Sequence, residues 1–177
     1  MSSTLKIKEQ KLVNGGEFIV RDVDPKEVFT PEDFSEEQKM IAQTCRDFLA
    51  TEVYPNLDEI DSMKNPNIMP EVLDKAGELG LLGTAVPEAF GGFGMDFNTT
   101  MLVAEVLGGG HSFAVAQSAH TGIGTLPILY YGNEEQKKQY IPKLASGKYK
   151  AAYCLTEPDS GSDANSGKTK AVLSEDG

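Results

Sequence analysis

Cysteine is scarce. Cys45 and Cys154 are the only two in 177 residues, too few for a disulfide framework, and this usage points to a reducing compartment, the cytoplasm. No apolar run approaches the ~18 residues that a membrane span requires. The N-terminus MSSTLKIKEQ lacks the apolar core of a secretory signal and is not an arginine-rich transit peptide. Positive charge is short as well: 16 Lys and Arg against 27 Asp and Glu give a net charge of −11. That balance disfavours nucleic acid and anionic membranes as partners. An anionic ligand would have to be held by local donors.

Several site motifs are also missing. Gly122-Ile123-Gly124 begins like G-x-G-x-x-G, but Pro127 stands where the third glycine belongs and no strand precedes it, which argues against a Rossmann site. There is no G-x-x-x-x-G-K-[ST] and no nucleophile elbow G-x-S-x-G, so phosphate-loop and serine-hydrolase chemistry lack their usual signatures. His111 and His120 match no common zinc spacing and read as packing or capping residues. Glu157, Asp159 and Asp163 are wrongly spaced for a calcium loop. No metal is expected.

What the sequence does contain is a run of helix signals. Apolar residues make up 40% and charged residues 24%, an ordinary globular balance. Residues 1–34 show no helical period; Phe18-Ile19-Val20 suggests either an extended arm packed on a larger body or a loosely ordered tail. Ser35-Glu36-Glu37-Gln38 forms a capping-box pattern, and Met40, Ile41, Cys45, Phe48 and Leu49 follow at helical spacing until Pro55. A second helix fits Pro70 to Leu79, with Gly80 as its cap. After a glycine-rich loop at 83–98, Asn98 can cap a helix that Gly108-Gly109-Gly110 ends. Residues 111–132 are apolar almost all round, a buried helix interrupted near Gly122 to Pro127. Asn133 to Gln136 starts a further helix that reaches Leu144.

The pattern changes at Gly147. Residues 149–156 and 168–173 read as strands, and one or two strands leave edges unpaired. The chain therefore reads as mainly α, cut just as a sheet domain begins: an extended arm over 1–34, a helical domain over 35–147, and the start of a truncated β-domain over 148–177. YCLTEPDSGSD (153–163) begins as the buried end of the first of these strands and runs straight into a polar loop. An extended strand end offers N–H and C=O groups that complement the donor and acceptor edge of a flavin. Tyr153 and Leu155 share one side of such a strand and could cover an apolar ring, while Thr156 adds a hydroxyl. Ser160-Gly161-Ser162 can form a small anion nest, with Gly161 permitting close approach. A plain polar turn between strands would look much the same.

A resemblance separates these readings. CLTEPDSGSDANS (154–166) resembles the acyl-CoA dehydrogenase signature, with Cys154, Leu155, Thr156, Glu157, Ser160, Gly161, Ser162, Asp163 and Ser166 at its specified places. GLLGTAVPEAFGGFGMD (80–96) and residues 126–158 are similar to further stretches of that family, and the arm before Ser35 together with LASG resembles its very-long-chain branch and bacterial relatives. The resemblance implies an N-terminal helical domain followed by the first strands of a middle β-domain, with FAD as cofactor. It implies α,β-dehydrogenation of acyl-CoA in fatty-acid β-oxidation, with electron-transfer flavoprotein as acceptor and a homo-oligomer at full length. Carried over, Tyr153, Leu155, Thr156, Gly161 and Ser162 would contact FAD. Ser162 would also touch acyl-CoA, whose chain would pass small Ala116, Ala119 and Gly122. Glu157 and Asp163 would organise the loop. The catalytic base is expected beyond Gly177, so none is assigned here. Two other readings are an acyl-CoA oxidase on the same scaffold and a helical interaction module without enzymatic activity.

Overall fold

Side chains that cap backbone ends organise the beginning of the chain. The structure, a computed structural model, describes residue 13 and residues 15–175. The first twelve residues and Asn14 of the expected arm, and the last two residues of the SEDG turn, therefore lie outside the described residues. The chain divides into two compact units after Ile41. In the first, no described residue is buried. Its order rests on short turns: helix α1 (Glu17–Val20) and 3-10 turns at Pro25–Glu27 and Pro31–Asp33. Asp33 accepts the Thr30 N–H at 2.8 Å, and the Phe29 and Phe34 rings meet edge-on at 5.1 Å. Phe18, Ile19 and Val20 thus sit in a helical turn, not in the extended segment their pattern suggested. Gly16, at φ 80, opens that turn from a conformation that period-2 patterning does not reveal.

Helix α2 (Glu36–Phe48) begins at the capping box. The Gln38 N–H donates to Ser35 Oγ at 3.1 Å, and the Ser35 N–H to Gln38 Oε1 at 2.9 Å. The second unit contains the remaining helices: α3 (Leu57–Ser62), α4 (Ile68–Glu78), α5 (Phe97–Leu107), α6 (Ser112–Ala119), α7 (Leu126–Tyr131) and α8 (Glu134–Ala145). Helix α6 packs on α3 and α4. The fully buried Phe113 meets Phe48 at a ring separation of 5.4 Å. A second cluster joins Val86, Leu129, Ile141, Leu144 and Ala145, with Ala151 packed against it.

Helix ends follow the sequence closely. At Gly80 (φ 75) the N–H groups of Gly80 and Leu81 donate to the Gly77 and Ala76 carbonyls, at 2.9 Å each. This is a Schellman closure that a left-handed glycine makes possible. Asn133 and Gln136 close the capping box of α8. The cap of α5 is Asp96 and not Asn98: its carboxylate accepts the Thr99 N–H at 2.7 Å, and both residues are good N-caps by type. Asp96→Ala should cost about 1 kcal/mol in urea unfolding at neutral pH. Hydrogen bonds from Thr99 hold this carboxyl below its usual 3.8. The contribution should therefore persist above that value and fade as pH drops through it.

The 111–132 segment is interrupted where expected, by a π-helical turn over His120–Gly124. Pro127 has no N–H for the carbonyl of Ile123, and the Thr125 hydroxyl takes the His120 carbonyl at 2.6 Å. The segment is not buried all round, since Val115, Ile123, Tyr130 and Tyr131 are exposed. Among the described residues there is no strand. Residues 151–156 carry no regular hydrogen-bonded structure and 168–173 likewise. The strand reading of 149–156 and 168–173 is thus not met in this structure. Strands are made by their neighbours, and none is present to pair with these.

Candidate functional site

The approach to the 153–163 loop is fixed by a buried histidine. His120 is 1% exposed. Its Nδ1 accepts the Ala151 N–H at 3.0 Å, so the ring is protonated at Nε2, which donates to the Leu144 carbonyl at 3.0 Å. One imidazole therefore ties the π-turn to the end of α8 and to the strand-like segment that follows. Beside it, a side chain on Gly124 would meet the Ala151 methyl at 2.5 Å, so only glycine lets the two backbones lie this close. Burial pushes the imidazole pKa below its ordinary 6.5, which keeps the ring neutral.

Beyond Ala151 the chain comes to the surface. Residues 152–156 are exposed, Tyr153 by 53% and Leu155 by 46%. Their N–H groups make no hydrogen bond among the described residues. Burial then returns at Ser160. The Glu157 N–H donates to the Ser160 carbonyl at 2.8 Å, and the Ser160 N–H to the Glu157 carbonyl at 3.1 Å. The Ser160 hydroxyl turns inward and donates to the Asp163 carbonyl at 2.7 Å. Ser160 is therefore spent on holding the loop. Gly161 and Ser162 stay exposed, and a Cβ built on Gly161 would touch nothing within 4 Å. Neither packing nor a positive φ demands glycine at 161 in this chain, so the space above it is available to a ligand. Asp163 anchors the loop's far side, its carboxylate accepting the Ser166 hydroxyl.

The residues expected along an acyl slot do not all come together. Ala116 and Ala119 are half-buried on α6. Gly122 lines a cleft of about 200 Å³ with Gln117, Ser118, Thr121 and residues of α5, a lining that does not include Ala116 or Ala119. The Thr121, Ser118 and Thr100 hydroxyls all donate to carbonyls of their own helices, at 3.0, 3.1 and 2.9 Å. The cleft is thus mostly apolar and is lined by no acid or base.

Candidate reactive groups are few. Burial pushes the Cys45 thiol up to about 11, which leaves it inert at neutral pH; Cys154 is exposed. No group of three potential metal-ligating residues exists among the described residues. No helix among them is long and apolar enough to cross a membrane.

The family model for the acyl-CoA dehydrogenase N-terminal domain matches residues 35–148. This chain belongs to the acyl-CoA dehydrogenase family. Within that family it is similar to a probable acyl-CoA dehydrogenase of Bacillus subtilis (strain 168), 48% identical over 170 residues, or 96% of this chain and 28% of the relative. It is 37% identical to mitochondrial isovaleryl-CoA dehydrogenase of Bos taurus over 77% of this chain and 32% of that one. Among solved structures it resembles an acyl-CoA dehydrogenase complexed with FAD from Bacillus anthracis. That match has a TM-score of 0.81 and 51% identity, covering 88% of this chain and 26% of the other. This acyl-CoA dehydrogenase family chain thus spans about a third or less of the length of these relatives.

The joint made by His120 was not readable from the sequence. Its two partners lie 24 and 31 positions away, and no periodicity encodes them. A histidine at the interruption of an apolar helix was the one available hint.

Proposed function

We propose that this chain supplies the N-terminal helical part of an FAD-dependent acyl-CoA dehydrogenase. Such an oxidoreductase introduces a double bond between the α and β carbons of an acyl-CoA thioester in fatty-acid β-oxidation. The observation that carries this reading is the exposed run 152–156, whose N–H groups have no partner among the described residues, leading to the open Gly161 and Ser162.

These residues suit a flavin. Tyr153 and Leu155 are exposed apolar groups that would lose water against an isoalloxazine face. The free backbone groups near Leu155 and Thr156, with the Thr156 hydroxyl, match the mixed donors and acceptors of its pyrimidine edge. The Gly161 backbone and the Ser162 hydroxyl would receive the diphosphate, and Ser162 would also reach acyl-CoA. Bound FAD supplies the hydride acceptor. The small Ala116 and Ala119 leave room along α6 for the acyl chain. No residue of this chain is assigned as the base that removes the α-proton. In this reading a glutamate from a C-terminal helical domain supplies it.

Within the longer protein, residues 1–34 would form an arm, 35–147 the helical domain and 148–177 the first part of a middle β-domain. Segments 149–156 and 168–173 would become strands once later residues pair with them. Electron-transfer flavoprotein would accept the electrons, in a cytoplasmic homo-oligomer.

Purified full-length protein should carry one FAD per chain and bleach anaerobically when acyl-CoA is added. The 177-residue chain, holding one wall of the site, should retain no stoichiometric flavin. Colourless full-length protein that takes up no added FAD would overturn the reading. Peroxide formed in step with turnover would instead assign an oxidase.

A further inference from the structure

Glu157 sits at the entrance of the loop that presents Gly161 and Ser162, and its carboxylate reaches across to the loop's exit. Oε2 accepts the Lys168 N–H at 2.6 Å. The Thr169 N–H lies 3.2 Å from both carboxylate oxygens. Hydrogen bonds from Thr169 and from the Lys168 backbone hold the carboxyl below the usual carboxylate range, so it stays ionised and acceptor-only at neutral pH. A second tie runs parallel, from Lys168 Nζ to Asp159 at 3.2 Å, between groups that are both about three-quarters exposed and thus weakly coupled. Gly167 packs close by; a Cβ there would stand 3.2 Å from Glu157 Oε1. The loop 158–167 is therefore closed by one carboxylate gripping two successive backbone N–H groups.

We infer that Glu157 is a positioning residue for cofactor binding: by clasping the N–H groups of Lys168 and Thr169 it holds the 158–167 loop in the shape that presents Gly161 and Ser162. It touches neither flavin nor substrate and acts through the loop. The inference rests on the reading of Gly161 and Ser162 as FAD contacts. Its energetic basis is preorganisation, since a loop already closed loses less conformational freedom when the ligand arrives.

The test uses the full-length protein freed of FAD, with two readouts: FAD affinity by flavin titration, and the rate of proteolytic cleavage within 158–167 in the cofactor-free state. Glu157→Ala should weaken FAD binding roughly tenfold and accelerate loop cleavage by a similar factor, as the loss of charge-assisted hydrogen bonds requires. Glu157→Gln, which keeps one acceptor oxygen, should recover part of both. Thr169→Pro removes a donor from the other side of the clasp and should reproduce the phenotype with the carboxylate intact. Combined with Glu157→Ala it should add little, because both changes break one interaction. Ser162→Ala should weaken FAD without speeding cleavage. If wild-type protein binds FAD and Glu157→Ala binds it equally well, the positioning role is wrong while the cofactor reading stands. If wild-type protein takes up no FAD, both fall.

Discussion

Replacing His120 with alanine is expected to destabilise the protein by about 3 kcal/mol, because it strands one buried and one half-buried backbone group and opens a cavity at once. The Ala151 N–H loses its acceptor and the Leu144 carbonyl loses its donor. The Leu144 carbonyl is left beside the space of a ring that is almost fully excluded from water, and the Ala151 N–H at its half-buried edge. A surface histidine would show nothing comparable. The same ring predicts a pH effect of definite sign. Burial lowers its pKa from 6.5 in the folded state, so below that pH the unfolded chain binds more protons than the folded one. Its contribution is complete above the unfolded value and is lost as pH falls beneath it. Urea midpoints at about pH 8 and about pH 5.5 should therefore differ more for wild type than for His120→Ala. A variant within ~0.5 kcal/mol of wild type, the range of an ordinary surface change, would show that the joint is dispensable.

Gly161→Val should do the reverse, sparing the protein and removing the ligand. No atom lies within 4 Å of a Cβ at this position, and its backbone does not need a positive φ. The cofactor-free chain should unfold within ~0.5 kcal/mol of wild type, as exposed substitutions do. FAD affinity should fall about a hundredfold, since a branched side chain would fill the space through which a diphosphate approaches the backbone. Comparing thermal unfolding of the cofactor-free protein with flavin titration separates the two effects. Equal FAD affinity in wild type and variant would place the diphosphate elsewhere.

Much of the helical scaffold was legible because its signals are local. The capping pairs Ser35–Gln38 and Asn133–Gln136, the glycine closure at Gly80 and the break before Pro127 each depend on residues within about one helical turn of one another. The cap of α5 is different: the pattern suggests Asn98, but Asp96 is a suitable cap by type as well and the helix takes it. The single turn at Glu17–Val20 was masked by three apolar residues in a row. The strands failed for a different reason. Alternation records a preference for one covered face, but a ladder needs a neighbour, and the described residues provide none for 149–156 or 168–173. In the candidate site, 153–163 reads as opening in a buried strand, whereas Tyr153 and Leu155 are exposed, because no neighbouring strand among the described residues covers them. The inward turn of Ser160 was not legible either, because a serine in a polar loop gives no sign of which partner its hydroxyl will choose. Nor did smallness alone reveal the separation of Gly122 from Ala116 and Ala119. Residues 116 and 122, six apart, stand about 120° apart on an ideal helix, so shared smallness did not place them on one wall.

The central claim is that residues 152–156 and 161–162 form a wall of an FAD site. Amide hydrogen exchange in the full-length protein, with and without FAD, tests it most directly. Saturating FAD should slow exchange at Tyr153 to Thr156 and at Gly161 and Ser162, while leaving the interior of α4, remote from the loop in sequence and already hydrogen-bonded, unchanged. Unaltered exchange at those six amides in protein shown to hold FAD would contradict the claim.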